Sequence, residues 1–337
     1  MKRILCLLLA VLLLTGCAPQ TPRQSRYETS FLDVFDTVTS IVGFAESEEA
    51  FLQTAQTIHD ELLVYHRLYD IYHEYPDLTN LKTLNEQAGG PPVQVDRKIL
   101  DLLQFCKDME QATGGAVNAA MGSVLSLWHE ARTAGLADPA HAALPDSAAL
   151  QAAAAHTDFS CVILDEAAST VCITDPELRL DVGAVAKGYA VQQVCRNAPA
   201  GLLVSVGGNV CATGPKPDGS SWVVGLQDPD SSGSLCMVNI PSGSVVTSGS
   251  YQRFYTVDGI QYHHIIDPET QMPAETWRAV SILCADSGVA DALSTALFLL
   301  DQEAGQALLD AFDAEAFWLD HAGNRYFSAG FPDFLQD

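Results

Sequence analysis

The alternation of hydrophobic and polar residues predicts one strand and several helices in the first half of the chain. "FLDVFDTVTSIVGFA" (31–45) is rich in β-branched and aromatic residues and predicts a strand. Apolar residues then recur at helical spacing over 48–69 and from Asp96 to Ala112, where a pair of glycines follows. "SVLSLWHEART" and the alanine-rich "LPDSAALQAAAAH" predict two further helices.

The pattern changes after Phe159, where short β-rich runs alternate with single helices. "CVILDEAASTVCITD", "GLLVSVGGNVCATG" and "SWVVGLQDP" predict strands separated by turns, and Asp258-Gly259 predicts a hairpin turn. "LDVGAVAKGYA" joins a strand to a helix that runs to about Arg196, and "RAVSILCADSGVADALSTALFLLD" predicts a strand and then an apolar helix. Helices and strands are mixed without strict β-α-β alternation, which predicts an α+β fold.

The first residues have the features of a bacterial export signal. Two cations precede an apolar stretch, Ile4–Leu14, that is too short to span a bilayer. The stretch ends in "LTGC", which resembles a lipobox and predicts that Cys17 is lipidated; an ordinary signal peptide or a short anchor is the alternative. We therefore expect anchoring at the extracytoplasmic face of a bacterial membrane. The predicted segments are a signal peptide (1–16), a tether (17–30) and a single domain (31–332).

Composition narrows the range of ligands and partners. The formal net charge is -25, from 42 acidic and 17 basic residues. Nucleic-acid-binding proteins present a basic face, so we expect no nucleic-acid partner. An anionic ligand would have to be held by local cations, helix N-termini or a metal ion. Seven cysteines follow Cys17 without a CxxC pair, which is typical of buried small hydrophobic residues; one disulfide is the alternative.

"LDVGAVAKGYA" has the features of an anion-binding turn. Gly183 permits a tight turn, and Lys187 lies in the first turn of the following helix. The stretch is neither a GxxxxGK[ST] loop nor a GxGxxG fingerprint. A lysine near a helix N-terminus is unfavourable for the helix dipole unless an anion lies nearby. The alternative is an ordinary strand-to-helix turn whose lysine extends to solvent.

"VADALSTALFLL" places a charged residue within an apolar helix. Asp291 and Thr295 are four residues apart and share one helix face. A buried carboxylate needs a partner, and carboxylate and hydroxyl oxygens suit a hard cation such as Mg²⁺. The alternative is an acidic residue favoured by the helix N-terminus, with Asp286 or Ser287 as the cap.

Three other stretches contain candidate binding residues. "YHHIIDP" places His263 and His264 on opposite faces of a strand, so that one faces a cleft and the other packs or is solvated. Arg253 in "SYQRFY" offers a forked donor suited to phosphate, or else forms a surface ion pair. The glycines of "SVGGNV" allow a ligand to approach the backbone, or simply form a tight turn.

Taken together, these stretches resemble one family, the ApbE-type FAD:protein FMN transferases. "TGGAVNAAMG", "LDVGAVAKGYAVQ", "LVSVGGNV", "VVTSGSYQRFY", "YHHIIDPETQMPA" and "VADALSTALF" follow the family's order and spacing, and the similarity covers about residues 30–330. The resemblance implies mixed sheets with flanking helices and a FAD cleft between subregions. It also implies phosphoryl transfer with Mg²⁺, or Mn²⁺ in its place. A serine or threonine hydroxyl of an exported acceptor protein attacks FAD, AMP leaves, and FMN stays as a phosphoester.

The resemblance further implies roles for individual residues. The implied metal ligands are the backbone carbonyl of Ala184 and the side chains of Asp291 and Thr295. The implied catalytic residues are His264, Asp291 and Lys187. The implied FAD contacts are Lys187, Gly183, Gly208, Arg253, His264, Asn118 and Thr37.

This chain departs from the family pattern at three places. The family often has Asp at the position of Asn118, an acidic residue at Ser250, and Met-Gly where Phe35 and Asp36 precede Thr37. None of these changes removes the implied metal pair or Lys187. Two other functions fit the same residues: a metal-dependent FAD pyrophosphatase that yields FMN and AMP, and a lipoprotein that binds flavin without catalysis.

Overall fold

The computed structural model describes residues 24–336, so the predicted signal peptide and Cys17 lie outside the described residues. Within that range the chain forms eight α-helices. The predicted helices at 48–69 and 96–112 are confirmed, and the Asp96 carboxylate caps the second by accepting the Lys98 N–H at 2.8 Å. The helices are α1 (Glu48–Tyr69), α2 (Leu81–Glu86), α3 (Arg97–Ala112), α4 (Gly122–Ala137), α5 (Ser147–Ala154), α6 (Ala186–Asn197), α7 (Ser287–Leu299) and α8 (Gln302–Phe312).

Fifteen strands of the described chain form one large sheet and three small ones. The large sheet is antiparallel throughout, with the order β1-β2-β6-β7-β10-β13-β14-β15. The small sheets are β3-β5-β4, β8-β9 and β11-β12. The predicted α+β class is therefore confirmed. The strands are β1 (Ser25–Val34), β2 (Thr37–Ala45), β3 (Val93–Gln94), β4 (Val162–Asp165), β5 (Thr170–Ile173), β6 (Leu202–Val206), β7 (Asn209–Ala212), β8 (Trp222–Gln227), β9 (Ser234–Ile240), β10 (Gly243–Gly249), β11 (Phe254–Val257), β12 (Ile260–His263), β13 (Ala279–Cys284), β14 (Glu315–Leu319) and β15 (Arg325–Phe327).

The N-terminal strands correct two predictions. The single strand expected over 31–45 is a hairpin, because Phe35 and Asp36 turn the chain with φ values of 53° and 51°. Residues 25–30, expected to belong to the tether, pair with β2 as the first part of β1. β1 is the edge strand of the large sheet, and most of its residues are at least partly exposed. A polar edge strand therefore has the composition of a linker, and only its partner strand identifies it.

Helices α6 and α7 cross on one face of the large sheet. α7 is almost wholly apolar, and Leu293, Leu297 and Phe298 are fully buried. It packs on β10 and β13, while α6 packs on β7 and against α7. The crossing requires Gly188 on α6, since a Cβ at that position would collide with the Ser287 carbonyl oxygen and with Asp291. This packing brings the two motifs with Lys187 and Asp291 together.

A smaller hydrophobic cluster lies across from these helices. It joins α4 to the β11–β12 hairpin through Val124, Trp128 and Tyr255. The hairpin turn is confirmed at Asp258 and Gly259, which have φ values of 50° and 83°. No helix among the described residues is long and apolar enough to cross a bilayer.

Candidate active site

A cavity of about 310 Å³ lies between the α6–α7 crossing and the smaller cluster of α4 with the β11–β12 hairpin. Nine of the site residues that the family resemblance implies line it: Thr37, Asn118, Gly183, Ala184, Lys187, Arg253, His264, Asp291 and Thr295. Gly208 is not among the lining residues. It is exposed in the β6–β7 turn with a φ of 93°, and its neighbour Gly207 lines the cavity instead.

The buried carboxylate of Asp291 is held from two sides by α6. Its Oδ2 accepts the Gly188 N–H at 2.8 Å and lies 3.7 Å from Lys187 Nζ. The residue is only 4% exposed. A charge so deeply buried needs such partners, because desolvation would otherwise disfavour the ionised form. The contacts fix one carboxylate oxygen on α6 and leave the group at the cavity wall.

The start of α6 has an unusual hydrogen-bond pattern. In a regular first turn, the Gly188 N–H would donate to the Ala184 carbonyl four residues back. Here it donates to Asp291 instead, and no other backbone N–H of the described residues donates to the Ala184 carbonyl. Ala184 lines the cavity beside Asp291 and Thr295, so a carbonyl without an N–H partner joins a carboxylate and a hydroxyl. We call Ala184, Lys187, Asp291 and Thr295 the carboxylate end of the cavity.

The donor atoms of the carboxylate end fit a magnesium ion. Carbonyl, carboxylate and hydroxyl oxygens are hard ligands, and Mg²⁺ is commonly bound by one or two carboxylates, water and substrate phosphates. Residues 24–336 contain no group of three or more His, Cys, Asp or Glu residues that could hold a metal. A site with a single carboxylate does not form such a group. The fit therefore depends on the Ala184 carbonyl and on a phosphate-containing ligand.

The two adjacent histidines have different surroundings. His263 is engaged by the backbone: its Nδ1 accepts the Ile265 N–H at 3.2 Å, so Nε2 carries the proton that is donated to the Ala274 carbonyl at 2.7 Å. His264 Nδ1 is buried without a hydrogen-bond partner among the described residues. Burial, followed by the positive charge of Arg253, lowers the pKa of His264 to about 3. His264 is therefore a neutral imidazole in the cavity at physiological pH.

A second group of cationic side chains also lines the cavity, and the sequence revealed only part of it. Arg253 is exposed just before β11, and Arg132 projects from α4. Arg132 Nη2 lies 3.1 Å from Nδ1 of His129, whose ring stacks on Tyr72 at 5.1 Å. We call His129, Arg132 and Arg253 the arginine end. Sequence analysis missed Arg132 and His129, because only the packing of α4 on the hairpin brings them to Arg253.

Asp181 is a third residue that sequence analysis missed. Its Oδ1 accepts the Gly183 N–H at 2.8 Å, and this contact shapes the turn before α6. Burial raises the pKa of Asp181, against the opposing effect of that hydrogen bond and of the positive charges at the arginine end. Asp181 lies within "LDVGAVAKGYA". Its position in that motif is the feature from which it could have been predicted as a site residue.

Thr37 and Asn118 both line the cavity, and each is held by close contacts. Gly207 packs against Thr37 so closely that an added Cβ would lie 2.8 Å from the threonine side chain. Asn118 Nδ2 donates to the Thr157 carbonyl at 2.9 Å, and its Oδ1 accepts the Ala120 N–H at 2.8 Å. A carboxylate could not donate the first of these bonds, which accounts for an amide at this position.

Several known proteins resemble this chain in sequence or in fold. The sequence profile of the ApbE family matches residues 35–318. The FAD:protein FMN transferase of Treponema pallidum is 39% identical over 256 residues, covering 70% of this chain and 69% of that protein. A protein of the same name from Klebsiella pneumoniae is 33% identical over 265 residues, covering 74% and 79%. The crystal structure of the ApbE protein of Thermotoga maritima has a TM-score of 0.82 at 27% identity, covering 93% of this chain and 100% of that one. The chain therefore belongs to the ApbE family.

Proposed function

We propose that this protein is an enzyme that transfers FMN from FAD to a serine or threonine hydroxyl of an exported acceptor protein. The reaction depends on Mg²⁺, or on Mn²⁺ in its place, and releases AMP. The relatives named FAD:protein FMN transferase support the overall activity. The metal, the acceptor hydroxyl and the leaving group are implied by the family resemblance, and the oxygen ligands at the carboxylate end support the metal.

One observation carries the proposal. The Gly188 N–H donates to Asp291 and so leaves the Ala184 carbonyl without a backbone partner among the described residues. A regular helix start would satisfy that carbonyl at no cost. The arrangement is accounted for if the carbonyl, Asp291 and Thr295 together hold a cation. Bound there, Mg²⁺ would neutralise the pyrophosphate of FAD and polarise it for attack.

The bond changes balance without a further reactant. The acceptor oxygen forms a bond to the FMN-side phosphorus, the bond from that phosphorus to the bridging oxygen breaks, and AMP leaves with the bonding electron pair. Lys187, held beside Asp291 at 3.7 Å, supplies positive charge next to the pyrophosphate. Neutral His264 accepts a hydrogen bond from the attacking hydroxyl and orients it. Because its pKa is about 3, His264 does not hold the proton that the hydroxyl releases. That proton passes to solvent.

The location of the enzyme is part of the proposal. The export signal and the lipobox-like "LTGC" support anchoring through Cys17 at the extracytoplasmic face of a bacterial membrane. An anchored enzyme meets acceptors that have already been exported. The partners are therefore FAD, the membrane and an exported protein with an accessible hydroxyl.

The test uses the full chain in detergent with FAD, Mg²⁺ and an exported protein that has an exposed threonine. Intact mass and flavin fluorescence on a denaturing gel are recorded with and without a chelator. We expect chelator-sensitive addition of FMN to the acceptor, with AMP released in equal amount. Release of AMP and free FMN without labelling of any acceptor would refute the transferase and indicate a FAD pyrophosphatase. Bound, intact FAD without release of AMP would indicate a protein that binds flavin without catalysis.

A further inference from the structure

The basic residues of this protein are few, and they are unevenly placed. The chain has 17 basic residues against 42 acidic ones, yet Lys187, Arg132 and Arg253 all line one cavity. Lys187 is paired with Asp291. Among the described residues, no carboxylate oxygen lies within 4.0 Å of the Arg132 or Arg253 guanidinium. Arg132 and Arg253 therefore bring two positive charges to the wall of one cavity without a carboxylate of the described residues in contact with either.

The other arginines of the described residues have partners of two kinds. Arg67, Arg179 and Arg325 stack on Tyr75 or donate to backbone carbonyls, and the rest lie near carboxylates. Arg26, Arg97 and Arg278 each lie within 3.0 Å of a carboxylate oxygen. Arg132 instead has a ring nitrogen of His129 as its side-chain contact. Burial and then the charge of Arg132 lower the pKa of His129, so that the ring is a neutral partner. The contact orients the Arg132 guanidinium without neutralising it.

Like charges are brought together at this end of the cavity. Burial, followed by the positive charge of Arg253, lowers the pKa of Arg132. Asp181 offers partial compensation, but its Oδ1 is engaged by the Gly183 N–H. An anion placed between the two guanidinium groups would relieve the repulsion. Guanidinium forks match phosphate oxygens in geometry, and such charge-assisted hydrogen bonds are among the stronger ones.

We propose that Arg132 and Arg253, with His129 as the residue that orients Arg132, form a metal-independent binding site for a phosphate group of the flavin nucleotide. The proposal rests on the proposed function only in taking a flavin nucleotide as the ligand. It assigns a phosphate contact to α4, an element that the motif set leaves out. The carboxylate end would bind the nucleotide through a cation, whereas the arginine end binds it directly.

The test measures flavin binding rather than turnover. The full chain in detergent is titrated with FMN, FAD and riboflavin in EDTA, and flavin fluorescence is followed. We expect Arg132→Gln to weaken FMN and FAD binding roughly 10-fold and to leave riboflavin binding unchanged, because riboflavin lacks the phosphate. Arg132→Lys should restore part of the affinity, since it keeps the charge but loses the fork. Arg97→Gln, which removes the same charge outside the cavity, is the matched control.

Three results would overturn the proposal. Equal weakening of FMN and riboflavin binding would give Arg132 a purely structural role. Unchanged FMN and FAD binding, with a higher KM for the acceptor protein, would reassign the anion to the acceptor. Absence of FMN and FAD binding by the unaltered protein in EDTA would remove a metal-independent site. Failure of the proposed function is a separate outcome: FMN binding that depends on Arg132, without transfer to any acceptor, supports this site and refutes the transferase.

Discussion

The two ends of the cavity hold their charges in opposite ways. At the carboxylate end, Asp291 is buried in the main core and is fixed by the Gly188 N–H and by Lys187. At the arginine end, Arg132 has a neutral ring as its one side-chain partner within residues 24–336, and Arg253 is exposed. The first arrangement fixes ligand oxygens, as a metal ion with strict geometry requires. The second leaves two cations partly solvated, which suits an anion that binds and then departs.

The difference has an origin in the fold. The carboxylate end depends on two helices that can cross closely only because residue 188 is glycine. The arginine end depends on a separate small cluster, where Trp128 Nε1 anchors α4 by donating to the Gln271 carbonyl at 2.8 Å. Changes at the carboxylate end should therefore disturb chemistry and core packing together. Changes at the arginine end should alter ligand affinity with less effect on the core.

The largest effect is expected from Asp291→Asn. Asparagine keeps an acceptor for the Gly188 N–H but loses the charge that pairs with Lys187 and binds a cation. We expect FMN transfer to fall about 1000-fold, or about 4 kcal/mol of transition-state stabilisation, while the far-ultraviolet circular dichroism is unchanged. Asp310→Asn on α8, where the carboxylate only accepts from Gln306, is the control. An Asp291→Asn protein with full activity in metal-free buffer would refute the role of the carboxylate end.

The second largest effect is expected from Gly188→Ala, which tests the close crossing of α6 and α7. Gly188→Ala would bring a methyl group against the Ser287 carbonyl and the Asp291 side chain, so the helices would have to separate. We expect urea denaturation to show a loss of about 2 kcal/mol in the free energy of unfolding, typical of overpacking. Gly305→Ala is the matched control, because the nearest atom to its added Cβ lies 3.3 Å away. Equal stability of the Gly188→Ala protein and the unaltered protein would mean that the crossing is looser than the structure indicates.

The dependence of stability on pH tests the environment of His264. Its imidazole lies near positive charges from both ends of the cavity. The pKa of His264 is about 3 in the folded state and 6.5 in the unfolded state. Between these pH values the imidazole is protonated in the unfolded chain and neutral in the folded chain. Stability contributed by this difference is present above pH 6.5 and is lost as pH falls towards 3. We expect His264→Asn to reduce the acid loss between pH 6.5 and 5.5 by about 1 kcal/mol in urea titrations without flavin.

The control for the pH series is His141→Asn. The side chain of His141 is 83% exposed, and its ring contacts the exposed Asp138. His141 does not line the cavity, so this variant controls for the loss of a histidine as such. A His264→Asn protein with an unchanged slope would mean that the imidazole is hydrated in solution.

The carboxylate end could be predicted from the sequence because its information is local. Asp291 and Thr295 are one helical turn apart, and Ala184 and Lys187 lie in one short motif. The free Ala184 carbonyl could not be foreseen without the family resemblance, since it depends on where α7 places a carboxylate. Arg132 could not be foreseen either, because a lone arginine on a helix is usually a solvated surface residue.

The limits of the fold prediction have similar causes. Helices with strong periodicity, such as α1 and α3, were predicted with accurate bounds. The first part of β1 (25–30) and the whole of β9 were missed because their exposed faces interrupt the apolar pattern. Only pairing with β2 and β8 identifies them. Long-range pairing is information that a local pattern does not contain.

The smallest effect concerns the loop that leads into α4 and so supports the arginine end. Asn118→Asp restores the residue common in the family but removes the N–H donated to the Thr157 carbonyl. We expect a loss of about 1 kcal/mol in the free energy of unfolding, the usual value of one hydrogen bond, and less than a threefold change in FMN affinity. Asn197→Asp, at an exposed position near the end of α6, controls for the added charge. A gain in stability would show that the loop can accept the carboxylate by rearranging, and the arginine end would then be less firmly positioned than the carboxylate end.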